Sequence, residues 1–221
     1  MPVTYYSCVQ EMRQARREGR LASFFRLQAR EGLYEVRINE IGIFSTLIEN
    51  NEHGHEGPPE WSEGVALLLP KIDASLLLQA VGFFREVYRR YGPMEALVHI
   101  YWSPAEKSYY AYCPNQRVTG ISIRAEWNNE RNKEDVLVCE VHSHHVMDAF
   151  FSSTDDDNEK ATRFYMVVGN IENFYPDTRL RYANARKHFE VPLETLFEMR
   201  FPASWLENLE LPERRKIFIP E

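Results

Sequence analysis

The segment from Leu137 to His144 ends in Glu-Val-His-Ser-His, and a short loop later come Ser152 and Asp155. No other stretch restricts what this chain can fold into as tightly. In an extended strand successive side chains alternate between faces, so His142 and His144 project the same way and can share one ion, while Ser143 points away. With the Asp155 carboxylate they make three protein ligands, which on a tetrahedral zinc ion leaves a fourth position open to water. An open position is the mark of a catalytic rather than a structural metal site.

The 221 residues allow one sizeable domain, or a domain with a modest extension, and 44% hydrophobic against 27% charged residues predicts a folded chain. A formal charge of -7 repels polyanions and argues against nucleic-acid binding. Cys8, Cys113 and Cys139 are far apart and form no C-x-x-C pair, so neither a disulfide framework nor a sulfur-rich zinc site is expected, and the chain reads as cytoplasmic. No apolar run approaches the roughly 20 residues needed to span a bilayer. Arg13, Arg16, Arg17 and Arg20 have helical spacing and read as a solvated basic face.

Residues 1–70 suggest a helix near 9–19 and strands near 21–28, 33–37 and 41–48, followed by a Gly/Pro-containing loop from Glu49 to Glu63. Asp73 is a plausible N-cap for an apolar helix that Tyr91-Gly92-Pro93 ends. Strands are predicted over Ala96–Trp102, Ser108–Cys113, Val118–Trp127 and Leu137–His144. A helix is predicted from Ser153 to about Phe164, then strands over Tyr165–Val168 and Leu180–Phe189, a short helix at 192–200, and a proline-containing tail.

The pattern His142-Ser143-His144, seven residues, Ser152, two residues, Asp155 resembles the JAMM signature of the JAB1/MPN metalloproteases, in a bacterial or phage-type form. That resemblance implies an α/β, cytidine-deaminase-like JAB/MPN fold, a mixed curved β-sheet flanked by helices. It divides the chain into an N-terminal extension over 1–70, a metalloprotease domain over 71–200 and a tail over 201–221. It further implies Zn²⁺ held by His142, His144 and Asp155, Ser152 directed at the oxyanion, and a general base upstream at Glu95. The expected activity is hydrolysis of a peptide or isopeptide bond in a protein or peptide substrate, with a ubiquitin-like tail as a candidate. His145 and Cys139-Glu140-Val141 stand where many members carry proline and glycine, which touches the loop around the site.

Other readings compete. Glu140 shares the strand face of His142 and rivals Glu95 as the base, or else orients a histidine. His145 should point away from the ion if the strand continues. His53-Gly54-His55 reads as an exposed loop, Asp156 and Asp157 as solvent-facing, Tyr110 and Tyr112 as core, and His99 and His188 have no evident partner. A non-catalytic scaffold that retains the metal is the alternative to an enzyme.

Overall fold

The computed structural model describes residues 3–51, 58–125 and 133–198, with Trp205 and Asn208. The chain opens with β1 (Thr4–Tyr6) and α1 (Val9–Arg17), then β2 (Phe24–Gln28), β3 (Gly32–Ile38), β4 (Gly42–Asn50) and β5 (Gly64–Leu67). These strands form one sheet in sequence order, parallel between β1 and β2 and antiparallel thereafter. Helix α1 turns Val9, Met12 and Ala15 inward, against a cluster that contains Phe25, Leu27 and Val36. Arg13, Arg16 and Arg17 are left in solvent, and Arg20, beyond the helix, pairs with Glu18.

The remainder begins with β6 (Ile72–Asp73) and α2 (Ala74–Tyr91). Asp73 caps α2, accepting a hydrogen bond from the Ser75 N–H at 2.9 Å, and Gly92 ends it at φ 77°, a conformation that costs glycine little. Then come β7 (Leu97–Ser103), β8 (Ser108–Tyr112), β9 (Gln116–Val118), β10 (Ile123–Ala125), β11 (Val136–Ser143), α3 (Ser153–Asn158), β12 (Phe164–Gly169), β13 (Asp177–Asn184), β14 (Lys187–Val191) and β15 (Phe197–Glu198). Six of these strands build the second sheet, ordered β14-β13-β12-β11-β7-β8, in which β11 and β12 run parallel and the other neighbours antiparallel. The architecture is mixed α/β, as expected.

Alternation gives this sheet two unlike faces. One carries Val98, Ile100, Val141, Met166, Val168, Leu180 and Tyr182 and buries them against Ala80, Val81 and Phe84 of α2. Phe44 of β4 enters the same core, 6.0 Å from the Phe164 ring and 5.6 Å from that of Tyr182. Asn184 and Thr46, both buried, join the two sheets through a 2.9 Å hydrogen bond. Phe44→Ala is therefore expected to destabilise the whole chain by about 3–5 kcal/mol. Chemical denaturation followed by circular dichroism measures that loss.

Several expectations need correction. Val118–Trp127 is not one strand: β9 and β10 form a hairpin whose turn is closed by Thr119 and Ser122, and residues 126–132 lie outside the described set. Leu180–Phe189 is likewise two strands, broken at Ala185 and Arg186 with φ 51° and 61°. Successive positive φ values suit a type I′ hairpin, but neither residue is the Asn or Gly that announces one. Helix α3 stops at Asn158, not near Phe164. In place of the short helix expected over 192–200, the described residues up to 198 hold one 3-10 turn and then β15, which pairs with β6. His53 and His55 lie outside the described residues, as does nearly all of the tail.

Candidate metal centre

Topology gathers the site before any side chain is considered. Because β11 and β12 are parallel neighbours, the chain must cross over between them, and α3 lies in that crossover. The carboxyl ends of both strands therefore meet one loop, 144–152. Strand β7 is antiparallel to β11, so its beginning reaches the same end of the sheet: Leu97 pairs with His142, and the Ser143 N–H donates to the Ala96 carbonyl at 2.9 Å. Glu95 stands directly ahead of that pair.

The face away from the core carries His142, and β11 ends at Ser143, so His144 belongs to the outgoing loop. Its N–H nevertheless still donates to the Val168 carbonyl of β12 at 2.8 Å. The Nε2 atoms of His142 and His144 face each other at 3.3 Å, and His142 Nε2 lies 3.6 Å from Asp155 Oδ1. One atom from each of the three side chains falls within 4.8 Å of the others.

This donor set fits a metal ion. Two nitrogens bound at the usual zinc distance of about 2.1 Å with a tetrahedral angle stand roughly 3.4 Å apart. Burial holds His142 down to about 4 and lowers His144 as well, with Asp155 opposing in both cases. Both imidazoles are therefore neutral near pH 7, the form in which they ligate.

Asp155 divides its two oxygens. Oδ2 accepts from the Ser152 N–H at 2.7 Å and from the Ser152 hydroxyl at 2.6 Å, while Ser152 Oγ accepts from the Asp155 N–H at 3.3 Å. This reciprocal capping box opens α3 and leaves Oδ1 aimed at the histidines. Ser152, expected at an oxyanion, thus already gives its proton to Asp155. If that hydroxyl turns to another acceptor, the Ser152 backbone N–H still holds the carboxylate.

Glu95 is buried, with Oε1 3.9 Å from His144 Nε2, and its carboxyl is pushed up to about 7 by burial and by the Asp155 charge. Glu140 also lines the cavity but lies 3.3 Å from Arg163; burial raises its carboxyl and Arg163 opposes. The cavity of about 700 Å³ is walled by Leu97, Ile123, Met147 and Phe150, and the Phe150 ring meets that of His144 edge-on at 4.6 Å.

His145 departs from expectation, because the strand does not continue. It adopts φ 43°, and its Nε2 lies 3.0 Å from the Gly120 carbonyl, linking the loop to the β9–β10 turn. Gly169, at the end of β12, is approached so closely by this loop that an added Cβ would lie 2.3 Å from the Ala149 nitrogen and 2.4 Å from the Met147 oxygen. These are backbone atoms and cannot swing aside. Gly169→Ala is expected to lower stability by about 1–3 kcal/mol and to weaken metal uptake, measurable by thermal melting with and without zinc.

Sequence reasoning passed over Arg163, Arg181 and Glu159. Asp156, expected in solvent, binds Arg181 at 2.6 Å, and His188 Nε2 lies 2.9 Å from the Glu159 carbonyl. The one available signal was an arginine between the apolar residues Leu180 and Tyr182 of a strand. Among the described residues, no helix is long and apolar enough to cross a membrane. A family model for prokaryotic homologs of the JAB domain matches residues 77–183, a span that includes Glu95, His142, His144, Ser152 and Asp155. No curated protein matches the chain.

Proposed function

Since residues 77–183 match the family model for prokaryotic homologs of the JAB domain, we propose that this chain is a zinc-dependent hydrolase of peptide or isopeptide bonds, built on a cytidine-deaminase-like fold. The observation that carries the reading is the convergence of His142, His144 and Asp155 beside a buried carboxylate at the mouth of a cavity. His142 Nε2, His144 Nε2 and Asp155 Oδ1 are the atoms that would hold the ion. When bound, zinc supplies Lewis acidity, polarising a carbonyl and lowering the pKa of water.

The protein's own groups complete the chemistry. Glu95, held beside His144, takes a proton from the attacking water and returns it to the departing amine nitrogen as the C–N bond breaks. Ser152 Oγ turns its proton from Asp155 to the former carbonyl oxygen, where charge develops. Leu97, Met147 and Phe150 keep bulk water away and strengthen these interactions. An extended tail, such as that of a ubiquitin-like protein, is the substrate class that the family resemblance suggests.

Metal analysis combined with a panel of peptides and isopeptide-linked conjugates tests the reading. About one zinc per chain and cleavage of a panel member is the expected result. Tight zinc without cleavage would instead indicate a scaffold that has kept its ion.

A further inference from the structure

Helix α3 carries the third ligand, yet it has six residues and buries none of them. A helix this short does not persist in water by itself. The capping box fastens its start, so something else must fasten its end. That role falls to Arg181 in β13, a strand hydrogen-bonded on both sides, where Arg181 lies opposite Tyr165 and Glu190.

The Arg181 guanidinium is almost wholly buried. Its Nε donates to Glu159 Oε2 at 2.7 Å, and its Nη1 donates to Asp156 Oδ1 at 2.6 Å. Its Cζ lies 3.8 Å from the centre of the Phe151 ring. Phe151 immediately precedes the Ser152 cap, whereas Asp156 and Glu159 follow Asp155. One rigid planar group therefore touches the chain on both sides of the ligand.

Burying such a cation rarely adds stability over an apolar side chain of the same size, whereas its fixed fork defines position. We propose that Arg181 is the positioning residue of the metal centre, holding α3 so that Asp155 Oδ1 meets the ion shared by His142 and His144. The proposal rests on the metal reading above. Lysine keeps the charge at this place but not the fork, so it cannot hold both carboxylates in one geometry.

The test uses the full chain, zinc affinity by competition with a chromogenic chelator, and the visible spectrum of the Co²⁺ form. Arg181→Lys is expected to bind zinc roughly 10–100-fold more weakly, the usual effect of losing a ligand's supporting partner, with altered Co²⁺ bands and an unchanged far-ultraviolet dichroism spectrum. Should that variant fail to fold, Asp156→Asn removes one anchor from a half-exposed position and is expected to shift affinity and bands in the same direction. Asp157→Asn removes an equal charge one residue further on and should change neither. Folded Arg181→Lys or Asp156→Asn with native zinc affinity and native Co²⁺ bands overturns the proposal. A native chain that binds neither metal overturns the metal reading, and this inference with it.

Discussion

His142→Ala is expected to abolish stoichiometric zinc binding and, with it, all hydrolysis. Among the described residues, His142 is one of three donors that could hold a common ion, and its Nε2 is the atom that lies within 3.6 Å of both His144 and Asp155. Two donors remain, and the loss should exceed the roughly 10–100-fold effect of disturbing an outer partner. Zinc should also cease to raise the melting temperature. In the native chain, zinc at 100 times its dissociation constant adds about 2.7 kcal/mol of stability, and that increment should vanish in the variant. Calorimetric titration and paired melting curves read both effects. A variant that still takes up one zinc with native affinity would show that the three donors do not act on a common ion.

Glu95→Gln should separate chemistry from metal binding. The amide has nearly the same shape, so zinc content is expected to stay near one per chain, while turnover falls roughly 10²–10⁴-fold, the usual contribution of a positioned general base. The elevated carboxyl of Glu95 reflects burial and the neighbouring Asp155, and a carboxyl raised in this way can accept and release a proton near neutral pH. Glu140→Gln is the companion measurement. With Arg163 at 3.3 Å, Glu140 is expected to act on local packing, and a much smaller drop in turnover should follow. If Glu140→Gln eliminates cleavage and Glu95→Gln spares it, the two roles must be exchanged.

What the sequence revealed depended on whether the governing interaction was local. The shared face of His142 and Glu140 follows from the two-residue period of a strand, and the limits of α2 follow from Asp73 and Gly92, each acting on its immediate neighbours. The helix start at Ser153 was legible from the acidic residues of its first turn, although the capping role of Ser152 was not. The end of that helix was not legible, because Glu159 is held by Arg181 from a distant strand. Strands β6 and β15 are two residues each and exist through pairing with one another across most of the chain. The turn at Ala185 and Arg186 takes positive φ values without a glycine or asparagine. Glu95 came from family resemblance rather than from spacing. Only the antiparallel register of β7 on β11 brings it to His144.

The core shared between the two sheets bears on how the protein can be handled. Phe44 sits against Phe164 and Tyr182, and strand β14 lies beyond the matched span. Excision of residues 77–183 would bare an aromatic floor and leave β13 with a raw edge, an invitation to clumping. The family-matched segment is thus no portable cassette: biochemists who want it well behaved must express its amino-terminal companion and β14 alongside it.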